Sequence, residues 1–126
     1  IAHGILVNPT PLVRVLAAVL VAGLAVNLFF HGAQPYAVGL FTPPWDKLAH
    51  MTLFGGFAAL MWAAFGARRA VLVFVTCTLL GAALEWVQLQ LPGRSPGWDD
   101  LLFDVLGAGA ALLILHGIRR QLLGNA

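Results

Sequence analysis

The fold of this chain is decided by residues 70–91, which read AVLVFVTCTLLGAALEWVQLQL. Glu85 is the only charged residue in this stretch, and most of the others are leucine, valine or alanine. About 20 helical residues cross the hydrocarbon core of a bilayer, which is about 30 Å thick. A helix that is apolar on every side has no face to turn toward water. The stretch therefore predicts a transmembrane helix.

Three more stretches have similar length and apolar character: residues 12–30, 48–65 and 101–118. Of the 126 residues, 60% are hydrophobic and 10% are charged, whereas soluble domains carry about 25% charged residues. This composition excludes a soluble enzyme and a disordered segment, and a net charge of +2 without a basic run excludes a nucleic-acid partner. The single cysteine, Cys77, excludes a disulfide framework. We expect an all-α fold in which one domain, residues 1–126, forms an integral membrane bundle of four transmembrane helices.

The charged residues are separated between the two sides of this predicted bundle. One side holds most of the basic residues: Arg14, Arg68, Arg69, Arg119 and Arg120. The positive-inside rule then places both termini in the cytoplasm. The other side holds Lys47 and Arg94 together with every acidic residue of the chain: Asp46, Glu85, Asp99, Asp100 and Asp104. The polar chemistry is therefore predicted to face outward.

Two of the predicted helices carry polar residues on one face near their outer ends. Asp46 and His50 are four residues apart and share a face of the second helix. An ionisable group one turn inside an apolar helix usually faces the bundle interior and marks a function, with a structural hydrogen bond to a neighbouring helix as the alternative. Glu85 and Gln88 share a face of the third helix. A buried Glu85 must be protonated or paired, so an interhelical salt bridge is the alternative to a functional role.

The fourth helix begins with Asp100 and Asp104, again four residues apart. Carboxylates one turn apart repel each other, so one of them is protonated or a cation lies between them. Oxygen ligands suit Mg²⁺ or Ca²⁺, but these residues form no ligand pattern. We therefore assign no metal residue, and a divalent cation remains an option that the site does not require. Arg94, between the third and fourth helices, could bind a phosphate bidentately or neutralise nearby carboxylates.

The remaining polar residues receive no role from their positions. Asp99 is expected to be a solvated residue at the start of the fourth helix, and His3, His31 and His116 are isolated. The first outer loop, residues 31–45, contains Pro35, Pro43 and Pro44 together with three aromatic residues: Tyr36, Phe41 and Trp45. This composition is typical of a segment that lies at the headgroup interface.

The spacing of the polar residues resembles the VanZ-like family of small bacterial membrane proteins, named after a teicoplanin-resistance protein. Its first motif, Asp-Lys-x-x-His with an aromatic residue four positions later, is matched by Asp46, Lys47, His50 and Phe54. Its second motif is Glu-x-x-Gln, then Pro-Gly-Arg, then an aspartate six residues after the arginine and a glycine in the following helix. The matching residues are Glu85, Gln88, Pro92, Gly93, Arg94, Asp100 and Gly107.

The resemblance covers residues 45–111, roughly half the chain, and two positions depart from the pattern. Asp104 stands where the family usually has asparagine, which puts in doubt any mechanism that depends on a neutral amide there. Ala111 stands where a second glycine is common, which is a mild change at a packing position.

The resemblance implies a multi-pass protein of the bacterial inner membrane. Its outward-facing site would bind or act on phosphate-containing headgroups of lipids or lipid-linked cell-envelope precursors. A headgroup hydrolase or transferase would use His50 as general base or nucleophile, with Glu85 and Asp100 as the other catalytic groups. Lys47 and Arg94 would hold the phosphate, and the rest of the predicted substrate-binding set is Asp46, Gln88 and Asp104.

Two non-catalytic functions remain open at this point. One is an accessory or structural subunit of a larger membrane complex, in which the polar residues only hold the helices together. The other is a binding protein for lipophilic glycopeptides. The expected partners are membrane lipids, with a larger complex or a homo-oligomer as further alternatives. An open pocket around His50 would favour catalysis, whereas full pairing in a closed bundle would favour a structural role.

Overall fold

The computed structural model describes residues 1–94 and 97–125, and over these residues it is helical with no strand. A short helix, α1 (Ala2–Val7), precedes four long ones: α2 (Pro11–Gly32), α3 (Trp45–Phe65), α4 (Ala70–Gln88) and α5 (Trp98–Gly124). The four long helices are long and apolar enough to cross a membrane. The prediction of an all-α fold with four such helices is confirmed, whereas α1 was not predicted.

The ends of the long helices differ from the ends of the apolar stretches. Both α3 and α5 begin earlier than predicted, with Asp46 and Asp99 in their first turns. Negative charge is favourable there because a helix N-terminus carries partial positive charge. In contrast, α4 ends earlier than predicted, ahead of a turn that contains Pro92 and Gly93. The second predicted outer loop, residues 92–98, includes residues 95 and 96, which lie outside the described part of the chain.

The hydrophobic core lies where α3, α4 and α5 meet. Its fully buried side chains include the following: Phe54, Phe57 and Trp62 from α3, Val73, Cys77 and Leu84 from α4, and Ala108 from α5. By contrast, α2 is peripheral, since only Ala17 and Gly32 are buried along its length. Most of its exposed residues are apolar, so it is suited to face lipid chains.

Gly107 sets the distance between α3 and α5. A Cβ atom added at Gly107 would collide with the backbone of Met51, and one added at Gly55 would lie 3.4 Å from the Gly107 carbonyl oxygen. Small residues let helix backbones approach this closely. Met51 directly follows His50, and Asp104 precedes Gly107 by about one turn. The close contact therefore brings His50 to the acidic face of α5.

Candidate functional site

Polar residues from three helices meet at the end of the bundle where α3 and α5 begin and α4 ends. We call them the polar cluster, and its members are Asp46, Lys47, His50, Glu85, Arg94, Asp99, Asp100 and Asp104. All are joined by charged contacts shorter than 4.0 Å. Gln88, the remaining residue of the predicted site, lies at the same end of α4 and is buried.

A cavity of about 430 Å³ lies beside the polar cluster. One part of its wall is apolar and includes Leu28, Leu40, Phe41, Leu53 and Leu84. The other part is polar and includes these side chains: His31, Tyr36, Asp46, Lys47, His50, Gln88, Arg94, Asp99 and Asp100. Ligand pockets commonly combine an apolar wall with a few placed polar groups. This cavity therefore suits a molecule with an apolar body and a polar end.

Two predicted site residues, Glu85 and Asp104, are not part of the cavity wall. Their side chains are 2% and 0% exposed. Asp104 instead contacts His50, whose Nδ1–H donates to the carboxylate over 2.6 Å. The substrate contact predicted for Asp104 stays a prediction. Its position is that of a residue that orients the histidine.

The His50 ring is held between α5 and the cavity. With the proton on Nδ1 directed at Asp104, Nε2 of the neutral ring is the proton acceptor. Nε2 lies 3.7 Å from Oδ2 of Asp100, beyond hydrogen-bond distance. A carboxylate that fixes the tautomer and orientation of an imidazole is the arrangement by which histidine acts as a general base.

Lys47 is surrounded by carboxylates. Its ammonium group lies 2.8 Å from Asp46, 2.6 Å from Asp99 and 2.7 Å from Asp100. An ammonium has three N–H donors, so these three carboxylates use its full capacity. Asp99 was expected to be a solvated residue only, and its side chain is 60% exposed, but it also pairs with Lys47 and lines the cavity.

Arg94 links α5 to the end of α4. Its Nη2 lies 3.1 Å from Asp100 Oδ2 and 3.6 Å from Glu85 Oε1. Among the described residues, Arg94 is therefore the ion-pair partner of Glu85. Neither Glu85 oxygen is hydrogen-bonded to a described residue. Because a buried charge without hydrogen bonds is costly, Glu85 depends on the positive charge of Arg94.

Three residues of the cluster could hold a divalent cation. His50, Glu85 and Asp100 each offer one ligand atom, and these atoms lie within 4.8 Å of one another. One imidazole and two carboxylates suit Zn²⁺ or Mn²⁺ better than Ca²⁺. Arg94 already pairs with Asp100, so an ion bound by these three ligands would require the guanidinium to turn away.

Sequence reasoning missed His31 and Gly97. His31, considered isolated, lines the cavity and hydrogen-bonds through Nδ1 with the Tyr36 hydroxyl. The sequence signal that could have found His31 is the aromatic loop that follows α2. A loop of this length can fold back over the start of α3 and bring His31 to the cavity. A Cβ atom at Gly97 would lie 2.5 Å from Glu85 Oε2 and 2.8 Å from Asp100 Oδ2. Only a glycine lets these carboxylates approach the backbone, and nothing in a single sequence marks it.

Comparisons with known proteins identify the family. The model of the VanZ/LLP1 family matches residues 8–120. Comparisons with curated proteins and with solved structures gave no match. The family match extends well beyond the two motifs and takes in nearly all of α2 to α5. This multi-pass membrane protein belongs to the VanZ/LLP1 family.

Proposed function

We propose that this protein binds and acts on the phosphate-containing headgroup of a membrane lipid or a lipid-linked precursor. The observation that carries the proposal is the position of His50, held by Asp104 on one side and lining an amphipathic cavity on the other. The apolar wall of the cavity accommodates the first part of the lipid chains. The polar wall then faces the headgroup.

The proposed reaction breaks a phosphodiester bond. His50 Nε2 takes a proton from a water molecule as the water oxygen attacks phosphorus. The bond between phosphorus and the alcohol oxygen breaks, and that oxygen receives the proton from His50. A transferase would use a second alcohol in place of water. Arg94 lines the cavity beside His50 and donates to the phosphoryl oxygens, which gain negative charge in the transition state. Lys47 lines the same wall, and it binds the phosphate directly by exchanging one of its three carboxylate partners.

The charge of the polar cluster favours a headgroup that carries a cation as well as a phosphate. Five carboxyl groups face two permanent cations, Lys47 and Arg94, which leaves a formal net charge of −3 when His50 is neutral. A phosphate alone would be repelled by this excess, whereas an ammonium next to the phosphate would be attracted. We therefore expect a zwitterionic headgroup such as ethanolamine phosphate to be preferred over an anionic one.

The distribution of arginines supports the orientation of the site. Five arginines lie at the end of the bundle remote from the polar cluster: Arg14, Arg68, Arg69, Arg119 and Arg120. Under the positive-inside rule, this end faces the cytoplasm and the polar cluster faces outward. The proposed location is the bacterial inner membrane, with the site at the outer headgroup layer.

One observation favours a second candidate function, that of an accessory subunit in a larger membrane complex. Lys47 already forms ion pairs with three carboxylates of the cluster, and Asp100 pairs with both Lys47 and Arg94. A cluster that only locks three helices together would look the same. The two functions differ in whether any lipid is changed.

The test is a headgroup assay on purified protein in bilayers. The bilayers contain phosphatidylethanolamine, phosphatidylglycerol or, as a phosphomonoester that lacks the bond to be broken, a polyprenyl phosphate. Each is tested with Mn²⁺ or with a chelator, and mass spectrometry follows the lipids. The wild type is expected to convert the ethanolamine lipid fastest, and His50→Ala is expected to abolish conversion. His116→Ala is the matched control, because His116 is exposed near the far end of α5. Unchanged lipids in every wild-type sample would favour the accessory subunit, and full activity of His50→Ala would remove His50 from the mechanism.

A further inference from the structure

A second cavity, of about 420 Å³, lies at the opposite end of the bundle from the polar cluster. Its wall contains four arginines from three parts of the chain: Arg14 near the start of α2, Arg68 and Arg69 in the turn between α3 and α4, and Arg119 near the end of α5. We call it the basic cavity. The 21 residues of α3 separate the two cavities by about 30 Å at a rise of about 1.5 Å per residue.

Among the described residues, no acidic side chain lies at the basic cavity. All five acidic side chains of the protein belong to the polar cluster. Within residues 1–94 and 97–125, none of the four arginines forms an ion pair. Several guanidinium groups around one cavity repel each other, because arginine stays charged at any physiological pH. A bound anion would remove this repulsion.

Two of the arginines are positioned by their surroundings. Arg14 Nε donates to the carbonyl oxygen of Pro9 over 3.2 Å. The Arg14 guanidinium packs against Gly66, where an added Cβ atom would lie 3.6 Å from Nη1. The Nε atom of Arg119 is buried and donates to no acceptor among the described residues. A buried donor without an acceptor destabilises the fold, and an anion in the cavity would provide the acceptor.

We propose that the basic cavity binds a phosphate-bearing anion, at the membrane surface opposite the polar cluster. Guanidinium groups bind phosphate oxygens bidentately, and basic pockets between membrane helices are known to take anionic headgroups. Apolar residues complete the wall, among them Leu6, Val7, Trp62 and Phe65, and these suit the glycerol and upper chain of a lipid. A soluble phosphate shares the same headgroup chemistry. The proposal does not depend on any activity at the polar cluster.

The test compares two neighbouring arginines of α5. Arg119 lines the basic cavity, whereas Arg120 does not and is exposed. Phosphatidylglycerol and phosphatidylcholine are titrated into purified protein, and bound lipid is counted by native mass spectrometry alongside the thermal midpoint. The wild type is expected to bind the glycerol lipid at least tenfold more tightly than the choline lipid. We expect Arg119→Gln to weaken that binding at least tenfold and Arg120→Gln to weaken it less than twofold.

Further arms identify the source of the phosphate and guard against misfolding. Competition by millimolar inorganic phosphate would show that a soluble anion fills the site, whereas binding that resists it would show that the lipid does. Arg68→Gln, at an exposed side chain of the cavity wall, is expected to weaken binding about fivefold and replaces Arg119→Gln if that variant does not fold. Equal effects of Arg119→Gln and Arg120→Gln would overturn the proposal, because they indicate diffuse attraction to anionic lipid. Equal binding of the two lipids would also overturn it.

Discussion

Asp104 occupies a position where VanZ-like proteins usually have asparagine, and its carboxylate contacts His50 over 2.6 Å. We expect Asp104→Asn to fold normally, since an amide oxygen can still accept from the ring. The amide carries no charge, however, so it stabilises the protonated His50 ring less well than the carboxylate does. The kcat of headgroup conversion should fall at least tenfold. The KM should stay within about twofold, because Asp104 does not line the cavity.

The control for this prediction is Asp99→Asn, which removes the same charge from an exposed side chain of the same helix. It should change kcat less than Asp104→Asn does. A rise in KM with an unchanged kcat in Asp104→Asn would mean that Asp104 contacts the substrate after all.

Loss of the charge of Asp100 should lower the free energy of unfolding more than loss of the charge of Glu85. Asp100 pairs with Lys47 at 2.7 Å and with Arg94 at 3.1 Å. Asp100→Asn leaves both cations short of a partner and should lower the free energy of unfolding by about 2–4 kcal/mol. Glu85 accepts no hydrogen bond from a described residue, so Glu85→Gln should cost less than about 1 kcal/mol. Chemical unfolding in detergent measures both values, and a larger loss for Glu85→Gln would contradict the contacts described here.

The motif spacing located the residues of the site but not their partners. Residues four apart share a helix face, so Asp46 with His50 and Asp100 with Asp104 followed from sequence. The pairing of His50 with Asp104 depends on how deeply α3 and α5 pack. Nothing along one helix encodes that depth, so the contact between His50 and Asp104 was not predicted. For His50, an open pocket was expected of a catalytic role and full pairing of a structural role. The structure has a part of each, since the ring pairs with Asp104 on one side and lines a cavity on the other.

At the level of helices, Gly107 controls the packing of α5 on α3. In Gly107→Ala the new methyl group would collide with the Met51 backbone, so the two helices must separate. We expect a loss of about 1–3 kcal/mol in the free energy of unfolding and, because His50 moves away from Asp104, a loss of headgroup conversion. Gly117→Ala is the matched control on the same helix, since a Cβ atom there meets nothing within 4 Å. A stable and active Gly107→Ala protein would show that this close contact is not required.

Apolar length was enough to predict the four long helices, but not where they end. Hydropathy falls at the first charged residue, whereas α3 and α5 begin at Trp45 and Trp98, ahead of their acidic residues. The short helix α1 has only six residues, which is less than two helical turns. Such a segment carries too little pattern to be separated from a loop by sequence alone.

For the whole molecule, we expect both termini to lie in the cytoplasm and the polar cluster to face outward. Cys77 is 1% exposed, so added cysteines can be labelled against a quiet background. A membrane-impermeant maleimide should label Asp99→Cys in intact cells, and should label Arg120→Cys only after the membrane is opened. Both substituted positions are exposed, so each serves as the control for the other. The reverse order of labelling would place the polar cluster on the cytoplasmic side.

The separation of charge between the two ends also makes the protein an electric dipole. The formal charge of the polar cluster is −3 with neutral His50, and that of the five remote arginines is +5. Across an energised membrane, moving one elementary charge through 100 mV is worth about 2.3 kcal/mol. A potential that is negative on the arginine side therefore holds this small protein in one orientation. An energised membrane would oppose an inverted copy more strongly than a depolarised one, so membrane voltage itself would help to set the topology.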